Sequence, residues 1–160
     1  MDELLQRTAG LPEFTLAVGD TLVREGESGD GLWILVSGAL QISKSGMAIT
    51  SISRPGAAIG EISLLLNSPY TATVVASAAS IVRYAADGRA LLASDPAITR
   101  WIAAGLAERL DFATTYLVDL KHQYGDSPGL AMVSEVLDQL AHRQGPSARP
   151  GSAREPNPDY

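Results

Sequence analysis

The chain has 160 residues and a formal net charge of −6, and 46% of its residues are hydrophobic. That is room for one domain with a short appendage, and enough apolar material for one core. The acidic balance argues against nonspecific attraction to nucleic acid or anionic lipid, and the lack of cysteine excludes a disulfide framework and a thiolate metal site.

There is no apolar run of about eighteen residues, so no membrane span is predicted. The opening "MDELLQRTAG" starts acidic and has no long apolar stretch, unlike a secretory signal. A cytoplasmic location fits the lack of cysteine. Residues 2–10 are expected to form a short helix, with Leu4, Leu5 and Leu11 on one side.

From Phe14 to Ala85 short β-rich runs follow one another: "FTLAV", "DTLVRE", "LWILVSG", "ALQIS", "MAITSIS", "ATVVAS" and "SIVRYA". Turn signals separate them at Gly19-Asp20, "EGESGDG", Ser37-Gly38, "KSG" and "RPG". Strands at such short, regular spacing predict a β-sandwich or barrel, with a jelly roll the expected version. "GESGDG" lacks the spacing of a phosphate-binding loop and reads as a hairpin turn.

At residue 94 the pattern changes. "SDP" offers Ser94 or Asp95 as N-cap and places Pro96 in a first helical turn. Apolar residues then recur at Ile98, Ile102, Leu106, Leu110, Ala113, Leu117, Leu120 and Tyr124. Steps of three and four predict a long helix over about 95–124. The fold class expected is therefore α+β, an antiparallel jelly roll with flanking helices and a long C-terminal helix, all within 1–128. A short amphipathic helix is expected within 129–144, in "GLAMVSEVLDQLAHR". Residues 145–160 carry four prolines and almost nothing to bury, the composition of a flexible tail.

Catalytic chemistry is missing. The two histidines, His122 and His142, both lie beyond the β region, so neither a histidine-clustered metal site in a barrel nor a Ser/His/Asp arrangement can be assembled. No catalytic residue, metal site or cofactor is assigned.

One stretch stands out, "IGEISLLLNSPYTATV" at 59–74, in which Glu61 is the only charge. "ISLLLN" can form one or two helical turns, and Gly60 lets another group approach the backbone closely. N–H groups at such a start attract phosphate, while a carboxylate accepts hydrogen bonds from a hydroxyl such as a ribose 2′-OH. The pair suits a phosphorylated sugar. The plainer alternative is that Glu61 complements a helix dipole at a solvated corner.

The order of features, a strand pair in "GDGLWILVSGAL", a "GEISLL" turn, "SPYTATVVA" entering another strand, then a long helix, resembles the cyclic nucleotide-binding domain family over about residues 10–124. The family's phosphate-binding cassette reads Phe-Gly-Glu-(Leu/Ile/Met)-(Ala/Ser)-Leu-Leu, then Pro-Arg-(Ser/Thr)-Ala-Thr. This chain has Ile59-Gly60-Glu61-Ile62-Ser63-Leu64-Leu65, then Pro69-Tyr70-Thr71-Ala72-Thr73. The resemblance implies that Glu61 meets the ribose hydroxyl of cAMP or cGMP. It implies that N–H groups near Gly60 and Glu61, with Thr71, meet the cyclic phosphate, and that the long helix caps the base with Thr114 or Thr115.

Tyr70 stands where the family has the arginine that pairs with the phosphate. A phenol offers one neutral donor in place of a charged fork. Arg54 and Arg83 are the spare cations nearby in sequence.

Two readings follow. One is a stand-alone regulatory module that binds a cyclic nucleotide or related phosphorylated nucleoside. The other is an interaction module that keeps the fold without the ligand and meets an unidentified protein partner. "MVSEVLDQLAHR" resembles the first helix of the family's DNA-binding module with the rest absent, so a nucleic-acid partner is not expected. The distal stripe, Leu106, Leu110, Ala113, Leu117 and Leu120, is expected to form a homodimer seam unless the final helix folds back over it.

Overall fold

The computed structural model describes residues 3–125 and 131–142. The expected tail at 145–160 lies outside the described residues. The chain divides into two compact units, Met1–Gly105 and Leu106–Tyr160.

The first unit opens with α1 (Glu3–Arg7), followed by β1 (Glu13–Leu16), β2 (Thr21–Val23), β3 (Leu32–Ser37), β4 (Leu40–Lys44) and β5 (Met47–Ile52). Then come β6 (Ala58–Ile59), α2 (Glu61–Leu66), β7 (Thr73–Ala76), β8 (Ser80–Ala85), α3 (Gly88–Ser94) and α4 (Pro96–Tyr124), whose residues from Leu106 onward belong to the second unit. The strands form two four-stranded antiparallel sheets, ordered β1-β8-β3-β6 and β2-β7-β4-β5. This is an α+β jelly-roll fold.

Strand alternation explains the core. Leu35, Ile59 and Val82 from the first sheet meet Val23, Leu40, Val74 and Ala76 from the second in one buried cluster. On β3, Trp33 and Leu35 face inward. Leu32 and Ile34 point to the other face and are fully buried. Leu4 of α1 and Ile98 and Ile102 of α4 are buried too. Arg83 anchors α1, reaching Glu13 Oε1 at 2.9 Å and the Leu5 carbonyl at 2.6 Å.

The expected helix over 95–124 is found at Pro96–Tyr124, and Asp95 is its cap: Ala97 N–H donates to Asp95 Oδ1 at 2.9 Å. Two elements had no forecast. β6 has two residues, too few to show alternation. α3 has seven, started by Asp87 Oδ1, which accepts from Ala90 N–H at 2.9 Å. "GESGDG" is not a hairpin turn. The strands on either side, β2 and β3, lie in different sheets. The loop passes from one sheet to the other, and two of its glycines, Gly29 and Gly31, receive side chains from elsewhere, as described below.

In the second unit, α4 carries Leu110, Phe112, Tyr116, Val118 and Tyr124 exposed, and α5 (Ala131–His142) carries half-buried Val133, Leu137 and Leu140 at helical spacing.

Candidate functional site

β6 ends at Ile59, whose side chain enters the core, and the chain turns at once into α2. The turn needs Gly60, which has φ +92°, a region that L side chains rarely occupy. Space also demands it: a Cβ there would lie 3.0 Å from the Gly31 carbonyl oxygen and 3.4 Å from Tyr70 Cε1. The left-handed N-cap makes no side-chain cap bond.

Glu61, the first residue of α2, is only 5% exposed. It is not an unpaired charge. This rules out the solvated-corner reading of Glu61. A buried carboxylate is uncommon and must be held by polar contacts. Ser63 and Leu64 of the same helix are buried, while Ile62 is half-buried. α2 has six residues, so its macrodipole is small and the corner's character lies in its backbone geometry.

Tyr70 comes back to this corner. Its N–H donates to the Glu27 carbonyl and its own carbonyl accepts from Gly26 N–H, both at 2.9 Å. Thr73 Oγ1 accepts from Glu25 N–H at 3.0 Å. The loop after β2 and the segment before β7 are thus stitched together on either side of Thr71 and Ala72, which are half-buried. Burial pushes the Tyr70 phenol up from its ordinary pKa, Tyr84, Asp30 and Glu27 push the same way, and a hydrogen bond with Trp33 opposes them. At neutral pH Tyr70 is a neutral donor.

Neither spare cation replaces the missing guanidinium. Arg83 is committed to Glu13 and Leu5, and Arg54 lies over the Trp101 ring at 5.9 Å. Arg89 donates to Asn67 Oδ1 at 2.9 Å, beside the C-cap of α2.

The sequence missed the aromatic surroundings. Trp33 and Tyr84 stack at 4.0 Å between centroids, and Phe14 meets both edge-on at 5.9 and 6.2 Å. Cross-strand pairing of Trp33 with Tyr84 sets this array. The residues are 51 positions apart, so no local signal could show it. The structure brings the Tyr70 ring to Gly60, which leads into Glu61, Ile62 and Ser63, while Thr71 and Ala72 follow Tyr70 in the chain; all lie in the first unit. Thr114, half-buried, and Thr115, exposed, lie on α4 in the second.

Fold and corner together define a jelly-roll domain organised around a glycine-led helical turn. The family model described as the cyclic nucleotide-binding domain matches residues 13–92, from β1 into α3. The chain belongs to that family. It is similar to a cAMP-dependent protein kinase regulatory subunit of Yarrowia lipolytica, 41% identical over 59 residues, which is 37% of this chain and 16% of that one. It is also similar to a CRP-like cAMP-activated global transcriptional regulator of Mycobacterium tuberculosis, 32% identical over 133 residues, 79% of this chain and 58% of that one. The chain therefore spans less than two thirds of either relative. Among solved structures, "Sp-2Cl-cAMPS bound to PKAR CBD2" superposes with a TM-score of 0.56 at 26% identity, covering 75% of this chain and 80% of that one. Among the described residues no helix is long and apolar enough to cross a membrane.

Proposed function

We propose that this chain is a regulatory sensor module that binds a cyclic nucleotide, cAMP or cGMP, at the corner formed by Gly60, Glu61, Ile62 and Ser63 with Tyr70, Thr71 and Ala72. Glu61 accepts from the ribose hydroxyl. The backbone near Gly60 and Glu61, with Thr71, meets the cyclic phosphate. The observation that carries this reading is the buried Glu61 carboxylate directly after left-handed Gly60. The similar proteins, a cAMP-dependent kinase subunit, a cAMP-activated regulator and a domain with Sp-2Cl-cAMPS bound, support it.

Binding is weak on this reading. Removing one partner of a buried charge pair costs about 2–5 kcal/mol, which is roughly thirty- to several-thousand-fold in affinity. Calorimetric titration with cAMP and cGMP tests the proposal. Glu61→Ala should weaken binding, and Tyr70→Arg should tighten it by about tenfold or more. No binding to the wild type or to folded Tyr70→Arg at millimolar nucleotide rejects it.

A second reading, a domain that keeps the fold as an interaction module for a protein partner, is favoured by the seat of the Tyr70 ring against Gly60. Under either reading we infer a homodimer through α4, with no nucleic-acid or membrane partner and a cytoplasmic setting. Leu110 is 51% and Phe112 75% exposed, and Phe112 and Tyr116 widen the seam that Leu110, Ala113 and Leu117 begin. Exposed apolar stripes of this kind mark interfaces. Light scattering that shows a monomer at tens of micromolar would reject the dimer.

A further inference from the structure

We propose that Tyr70 sets what the Gly60–Glu61 corner admits: its ring is seated in a slot formed by Gly29 and Gly60, and it must leave that slot before an anionic ligand can reach Gly60. The proposal rests on reading this corner as the ligand site, and it adds a closed and an open state to that site.

The slot is visible in what the glycines exclude. A Cβ on Gly29 would meet the Tyr70 hydroxyl oxygen head-on and lie 3.0 Å from Cζ and 3.1 Å from Cε2. Gly31, two residues on, is filled in the same way by Tyr84. Glycines with left-handed backbones are found at 19, 26, 38, 46, 56 and 60, and neither Gly29 nor Gly31 is one of them. Backbone conformation therefore does not demand glycine at 29. The space occupied by the phenol does. On its other edge the ring lies against Gly60.

What can move is the side chain. The Tyr70 backbone is held at both its N–H and its carbonyl by the loop after β2. Opening is then a rotamer change of a half-buried side chain, with the loop left in place. A seated ring lowers apparent affinity by the fraction of time the corner is open, so a slot occupied about nine times in ten weakens binding about tenfold. This penalty is separate from the missing positive charge, and a different substitution removes it.

Calorimetry with cAMP on Tyr70→Ala separates the two. Alanine adds no charge and removes a donor. If Tyr70 were only a poor phosphate partner, Tyr70→Ala would bind equally or more weakly. The slot predicts at least about tenfold tighter binding than wild type. Tyr70→Ala that binds no tighter while Tyr70→Arg does bind overturns the proposal.

If no variant binds nucleotide, the ligand-site reading fails, and the slot is judged without ligand by a double-mutant cycle in urea unfolding. Gly29→Ala should destabilise the wild type clearly but be close to neutral in a Tyr70→Ala background, a coupling well outside the error of additive sites. Should Gly29→Ala alone not fold, Gly29→Ala/Tyr70→Ala should still fold. Additive effects, or a double variant that also fails to fold, overturn the slot.

Discussion

Gly88, at the start of α3, lies so close to Leu64 of α2 that a Cβ on it would stand 2.7 Å from Leu64 Cδ2 and 2.9 Å from the Asp30 carbonyl oxygen. Leu64 is buried and the Asp30 oxygen is backbone, so neither can yield easily. This contact fixes the depth at which α2 sits, and with it Glu61. Gly88→Ala is expected to destabilise by about 1–3 kcal/mol, as overpacking of a filled site does. Thermal melting measures the loss, and an unchanged melting temperature would show that α2 is free to shift.

Ser80 holds the two sheets' connections together. Its hydroxyl oxygen accepts from Ala39 N–H at 3.0 Å and donates to the Ala78 carbonyl at 2.8 Å, in a place that is 1% exposed. Ser80→Ala leaves the half-buried Ala39 N–H without its acceptor and should cost about 1 kcal/mol. Urea unfolding gives the value. Ser80→Ala should leave nucleotide binding, where present, unaltered.

Asp95 joins two helices to a third. It caps α4 and accepts from Arg7 Nη1 at 3.1 Å, linking α1 to the α3–α4 junction. Partial burial works to raise its pKa, but hydrogen bonds from the Ala97 N–H and from Arg7 outweigh it and hold the carboxyl below its ordinary value. A depressed carboxyl stabilises the fold above the unfolded pKa of about 3.9, and that contribution is lost as pH falls through the folded value. Asp95→Ala should lower the melting temperature at pH 7 and flatten its fall below pH 4. An identical acid limb in the variant would remove Asp95 as a contributor.

Tyr70 should ionise late. With the folded pKa raised by burial first, the neutral phenol persists above about pH 10, the ordinary tyrosine value. Its contribution to stability is present below that pH and is lost as pH rises through the folded value. The difference in ultraviolet titration between wild type and Tyr70→Phe should show one group titrating above pH 10. A midpoint at or below the ordinary value would mean that the ring is in water.

Much of this protein is written in local pattern. The short β-rich runs from Phe14 to Ala85, set between turn signals at regular spacing, specify β-structure, because both signals are local. The stripe from Ile98 to Tyr124, with Asp95 and Pro96 before it, specifies one long helix by the same kind of local rule. The order Gly60-Glu61-Ile62-Ser63 and Pro69 to Thr73 was enough to point to the family, since a cassette is a contiguous run. The register of β3 on β8 was not legible. It puts Trp33 on Tyr84, and no residue between them in sequence carries that pairing. Nor was the reason for Gly29, which sequence alone assigns to a turn. Its missing side chain answers to a tyrosine 41 positions later, and only the crossing of the loop after β2 over the corner brings the two into contact. Burial of Glu61 was equally a tertiary outcome: a charge in an apolar run can face water or core, and the closeness of Gly31, Tyr70 and Gly88 to α2 decided for the core.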